Sequence, residues 1–238
     1  MRVDDHGRRA AMITARDLGA FVADRLYQAR TQFGHLFRRK STDRYHGGEL
    51  APVLLLPGVY ETWHFLRPVA DRLHARGHPI HVVADLGYNR LTIADSAAVA
   101  QRYLDEHDLR TVIVVAHSKG GLIAKHMMTI DDVTGRIDRL IAVNSPFAGS
   151  PLARFAPSAT LRAFAPTHST LTALAANVDV NRRIASIFSR RDPLIPGGSR
   201  LDGATNIELS MVGHFRPLGS RELFDAIDRV LDARQRRE

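Results

Sequence analysis

The stretch TVIVVAHSKGGLIAKHMM, residues 111–128, decides the reading of this chain. Thr111–Ala116 is the most β-prone run in the sequence, almost all of it β-branched. Leu122 onward is helical, which leaves almost no loop between strand and helix. A side chain at such a junction sits on a sharp, strained turn at the carboxyl end of a sheet, and here that side chain is Ser118. Strand and helix backbones cross closely there, so the positions two before and two after must be small. They are Ala116 and Gly120. The next backbone N–H, that of Lys119, points to where a negative oxygen would develop, and the helix start adds partial positive charge.

Outward from this turn, short Val- and Ile-rich runs alternate with helical patterns, which predicts βαβ units. Val53–Leu56 ends at Pro57-Gly58, and a helical stretch follows with Trp63, Leu66, Val69, Ala70 and Leu73 apolar. Ile80–Ala84 is the next strand and Ile93–Asp108 the next helix. Strands Leu140–Val143, Ile184–Phe188 and Ile207–Val212 follow, and a helix over 220–234 closes the chain. The expectation is an α/β fold, a mostly parallel central sheet flanked by helices, over residues 48–238. Residues 150–180 break the rhythm with Ala, Pro, Ser and Thr. A segment of about thirty residues is too long for an ordinary connection and reads as a lid-like insertion.

Residues 1–47 form a separate N-terminal extension ending in RRKSTDRYHGG. Leu18, Phe21, Val22, Leu26, Phe33, Leu36 and Phe37 fall near helical spacing, with Arg, Asp and Gln on the other side. An amphipathic helix of this kind ordinarily packs its apolar stripe on the domain. The alternative is an interfacial helix, residues 12–39, lying on lipid or against a partner.

Composition narrows the classes. The 33 Lys and Arg against 25 Asp and Glu give a net charge of +8, and all but Lys40, Lys119 and Lys125 of the basic residues are Arg. They are scattered, with acids nearby, which points to a solvated surface or a membrane-surface contact and not to nucleic acid. The absence of cysteine rules out disulfides, thiolate metal sites and a cysteine nucleophile. No apolar stretch approaches the roughly 18 residues of a membrane span. The first thirty residues carry charges throughout, so no secretory signal is expected, and the expected location is the cytoplasm or a membrane surface reached from it.

Ala116-His117-Ser118-Lys119-Gly120 resembles the G-x-S-x-G nucleophile elbow of the α/β-hydrolase superfamily, in its lipase/esterase branch, with the Ala that some lipases carry first. The resemblance covers about residues 51–234. It implies the order nucleophile, acid, histidine. Asp192 lies just past the strand Ile184–Phe188, and His214 lies between the last strand and the last helix; Asp179 and Asp202 are the other acids in range. It also implies a second oxyanion donor after the first core strand. There Leu56-Pro57-Gly58-Val59-Tyr60 matches H-G-x with Pro57 in place of the His, so the donor is the Val59 N–H, with Tyr60 second. The Lys119 side chain reads as solvent-facing. Asn144–Ser150 (NSPFAGS) resembles the T-P-h-x-G-S stretch that leads into lipase lids.

What the resemblance implies is a serine hydrolase acting on carboxylic esters, with lipid or acyl esters preferred and no cofactor needed. Tyr60, Phe147, Phe155 and Phe164 are the candidates to line the acyl site. A thioesterase, an acyltransferase or a cofactor-free haloperoxidase would use the same three residues. A non-catalytic basic protein binding membrane or nucleic acid is the alternative from another class. His74, His78 and His81 have ligand-like spacing, but Gly77 and Pro79 break the helix that would align them, so no metal is expected.

Overall fold

The computed structural model describes residues 15–34 and 42–235. Its strands are β1 (Val53–Leu56), β2 (Ile80–Val82), β3 (Val112–His117), β4 (Ile137–Val143), β5 (Ile184–Arg191) and β6 (Thr205–Val212). They form one sheet in the order β2-β1-β3-β4-β5-β6, every pairing parallel. The helices are α1 (Ala15–Gly34), α2 (Arg67–Ala75), α3 (Ile93–Glu106), α4 (Lys119–His126), α5 (Ala159–Arg162), α6 (Ser169–Ala176) and α7 (Arg221–Gln235).

A parallel sheet must be covered on both faces. Alternate residues of the central strands serve the two layers. Leu54, Leu56, Val114 and Ala116 pack with α3, α4 and α6, whereas Val53, Leu55, Ile113 and Val115 pack with α2 and α7. Every residue of β1 and β3 is buried, so these strands read as continuous apolar runs. β6 is the edge strand and its burial is intermittent, which is why the apolar pattern misses its first two residues, Thr205 and Asn206. β2 stops at Val82, short of the expected Ala84, where the chain enters the 3₁₀ turn Ala84–Leu86.

The segment expected to form a lid folds into the 3₁₀ helix Pro151–Phe155, α5, α6 and the 3₁₀ helix Asp179–Arg183. Its start is pinned by Ser150 N–H donating to Phe164 O at 2.8 Å.

Helix α1 packs on β6 and on the 3₁₀ turns Trp63–Leu66 and Arg216–Gly219, but not in the orientation its pattern predicts. Asp17 and Asp24 are buried, while Leu18, Val22, Leu26 and Phe33 are all more than half exposed. The domain surface beneath it explains the inversion, since it offers donors rather than apolar area. Arg191 Nη1 meets Asp17 Oδ2 at 2.6 Å, and the N–H groups of Phe215 and Arg216 donate to Asp24 Oδ1 at 2.7 and 2.9 Å. Leu36 and Phe37 lie outside the described residues. Among those described, no helix is long and apolar enough to cross a membrane.

Candidate active site

Ser118 stands between β3 and α4 with no residue to spare and adopts φ 50°, a left-handed conformation that costs energy for a side chain with a Cβ. Its N–H is held by Val143 O at 2.9 Å. The predicted need for a small residue at position 120 has a concrete cause, because a Cβ on Gly120 would lie 2.1 Å from the Leu56 carbonyl oxygen. Lys119 is the first residue of α4, so its N–H is one of the orphan donors of the helix start. The Val59 N–H is engaged by no described residue. The two donors expected from sequence are thus both unspent.

Past the carboxyl end of β5, Asp192 uses its two oxygens differently. Oδ1 caps its own turn, accepting from Leu194 N at 2.8 Å and Ile195 N at 3.2 Å. Oδ2 accepts from His214 Nδ1 at 2.5 Å, with both side chains only 3% exposed. Asp179 and Asp202 lie instead at the amino ends of β5 and β6, the far edge of the sheet. Ser118 Oγ makes no hydrogen bond to a described residue. In a substrate-free site the Ser–His contact is commonly long and tightens in the complex.

Beneath these residues lies a buried pair that the sequence reading did not single out. Glu61, 3% exposed, accepts from His117 Nδ1, both carboxylate oxygens at 2.9 Å. His117 Nε2 donates to the His214 carbonyl at 3.0 Å, and Asn144 Nδ2 donates to the same carbonyl at 2.8 Å. Both ring nitrogens of His117 face acceptors, an arrangement that favours the doubly protonated ring. Burial opposes that charge, but the Glu61 carboxylate and the His214 carbonyl outweigh it and hold the imidazole above its usual value. Glu61 Oε2 also accepts the Gly58 N–H at 2.9 Å. The loop carrying Val59 is therefore braced by Glu61, in place of the His that Pro57 replaces. Nothing in the sequence marks Glu61, which reads as an ordinary acid in the turn just before the helical stretch that begins at Trp63.

Lys119 corrects its expected solvent exposure. Its side chain is buried, and Nζ donates to Asn89 O, Asn89 Oδ1 and Leu91 O at 3.0, 2.9 and 2.5 Å. Burial pushes this amine down to about 8, against the pull of Asp95. Asn89 Nδ2 in turn donates to Pro57 O at 2.7 Å, so the chain around 89–91 supports the Val59 loop as well.

The expected acyl-site residues separate. Phe147 and Phe164 are buried in the core layer that contains α4, and Val59 packs against that layer. Tyr60 Oη donates to Ser158 Oγ at 2.9 Å, joining the Val59 loop to the inserted segment. Phe155 instead faces outward, 75% exposed beneath the Arg154 guanidinium. A cleft of about 490 Å³ lined by Arg139, Arg182, Arg183 and Arg229 opens at the amino ends of β4–β6, away from Ser118. Glu61, His117 and His214 bring ligand atoms within 4.8 Å of one another. Their hydrogen bonds already occupy both nitrogens of His117, both oxygens of Glu61 and His214 Nδ1, so the cluster fits a hydrogen-bonded brace better than a metal site.

A nucleophile elbow above a six-stranded parallel sheet, with an acid–histidine pair at the same edge, is the arrangement of the α/β-hydrolase fold. Solved structures place the chain in that fold. It superposes on the mature Bacillus licheniformis lipase BlEst2 with a TM-score of 0.62 at 15% identity, covering 78% of this chain and 96% of that one. It superposes on MGS-MChE2, an alpha/beta hydrolase enzyme from the metagenome of lagoon sediments at Mar Chica, Morocco, with a TM-score of 0.59 at 16% identity, covering 79% and 93%. A Paleococcus ferrophilus monoacylglycerol lipase gives a TM-score of 0.53 at 12% identity, covering 76% and 93%. In sequence, residues 96–162 match the family described as PGAP1-like alpha/beta domain. No curated protein matches the chain.

Proposed function

We propose that this chain is a serine hydrolase that cleaves carboxylic esters, with lipid or acyl esters as the preferred class. The observation that carries the reading is the 2.5 Å contact of His214 Nδ1 with Asp192, at the sheet edge where Ser118 is held in a strained turn. Ser118 Oγ attacks the ester carbonyl while His214 Nε2 takes its proton. Asp192 keeps the Nδ1–H tautomer that leaves Nε2 free to do so. The N–H groups of Val59 and Lys119 receive the oxyanion, a contribution of roughly 3 kcal/mol per donor. On collapse, His214 returns the proton to the departing alcohol, leaving acyl-Ser118. Water then repeats the sequence, giving up its proton to His214 and releasing the acid. In this reading Tyr60, Phe147 and Phe164 line the acyl chain.

Intact-mass detection of fluorophosphonate labelling, on wild type beside Ser118→Ala, tests the proposal. One adduct on wild type and none on the variant is expected. A folded wild type that takes no adduct, with or without detergent, overturns it. Oxygen esters and thioesters of graded chain length then fix the leaving group and acyl length.

A further inference from the structure

Helix α1 presents a face that its own domain leaves uncovered. At about 100° per residue, Leu18, Val22, Leu26 and Phe33 fall within an arc of about 80° and extend over about 22 Å. They are 61, 55, 65 and 63% exposed. The charges on the helix are sorted about this stripe. Both acids, Asp17 and Asp24, are buried against the domain and paired there; Arg25, on one side of the stripe, turns back to Asp24 at 3.6 Å and over the Phe215 ring, while Arg30 is exposed on the other side. The outward face is thus apolar at its centre, with the Arg30 guanidinium at one margin and neither acid on it.

This face stands over the carboxyl edge of the sheet. Asp17 reaches Arg191 at the end of β5, and Asp24 reaches the backbone directly after His214. The segment leaving the same edge after β4 repeats the combination, with Leu152 and Phe155 exposed and Arg154 against Phe155. We infer that α1 lies on the surface of an anionic lipid bilayer, its apolar stripe among the acyl chains and Arg30 at the headgroups, with Arg154 of the neighbouring segment beside it. Docking in this way brings the edge that carries Ser118 and His214 to the lipid. That purpose rests on the ester-hydrolase reading; the binding itself does not.

Co-sedimentation of the Ser118→Ala protein with phosphatidylcholine vesicles, with and without phosphatidylglycerol, tests the docking apart from the chemistry. Binding to the anionic vesicles that weakens with added salt is expected, with far less on phosphatidylcholine alone. The triple variant Leu18→Gln/Val22→Gln/Leu26→Gln should lose binding by about tenfold or more, and Arg30→Gln by about fivefold. Both should keep the wild-type melting temperature and, in the Ser118 background, hydrolysis of a soluble short-chain ester. No binding to anionic vesicles, or undiminished binding by the triple variant, overturns the inference. A wild-type dimer in light scattering that the triple variant disperses also overturns it, in favour of a second copy on this face. Vesicle binding without fluorophosphonate labelling would sink the hydrolase reading and leave the docking standing.

Discussion

The ring of His117 lies 4.7 Å from that of His214, and its Nε2 holds the His214 main-chain carbonyl at 3.0 Å. The residue preceding Ser118 thus holds the proposed base through its backbone, and Glu61 holds His117 in turn. Glu61→Gln leaves a buried cation without its counter-charge, a loss of about 3 kcal/mol. Urea unfolding measures that loss. Ester kinetics should show the defect in kcat more than in KM, and the double variant with His117→Asn should cost less than the two single costs added.

The same pair sets a pH dependence. The His117 value in the folded protein is raised above the ordinary value of about 6.5. Its contribution to stability is therefore complete below about pH 6.5 and is lost as pH rises through the raised folded value. The stability gap between wild type and Glu61→Gln should be widest on the acid side and narrow toward alkaline pH. Unfolding midpoints of the two proteins across that range read it directly.

Asp192 orients His214, whereas Asp179 and Asp202 sit at the opposite edge of the sheet. Asp192→Asn should lower kcat by roughly 10⁴-fold through the wrong imidazole tautomer. Asp179→Asn and Asp202→Asn should leave kcat unchanged.

Asp24 Oδ1 accepts two backbone N–H groups next to His214. Asp24→Ala leaves both without their acceptor and should destabilise by about 2 kcal/mol, with a fall in kcat as the His214 loop loosens. Asp24→Asn retains an acceptor and should lose less of both, which thermal melts and initial rates would show.

Gly120→Ala drives a Cβ to 2.1 Å from the Leu56 carbonyl, so β1 and α4 must separate. A loss of about 3 kcal/mol is expected. Gly197, with nothing within 4 Å of an added Cβ, is the control, and its Ala variant should stay within about 0.5 kcal/mol of wild type.

The sheet was legible because β1 and β3 are buried on both faces and so spell unbroken apolar runs. Ser118, Asp192 and His214 were legible as positions because each sits just beyond a strand. Glu61 and Asn144 were not, since their partners lie 56 and 70 positions away and nothing local marks the pairing. Lys119 escaped for a similar reason, because its acceptors, two main-chain carbonyls and the Asn89 side chain, lie 28 and 30 positions away. Helix α1 was found as a helix, but its facing was misread. Periodicity reports which residues share a side, and it cannot report that the surface opposite offers an arginine and two bare amides.

The contact between Asp24 and Phe215 spans 191 positions. A chain emerging from the ribosome N-terminus first makes α1 long before its dock. Until residue 216 is out, Asp24 lacks the two backbone amides it will accept from, and the loop bearing His214 is incomplete. The brace on the proposed base is thus set only after residue 216 has been delivered, 192 positions after the Asp24 that supplies it.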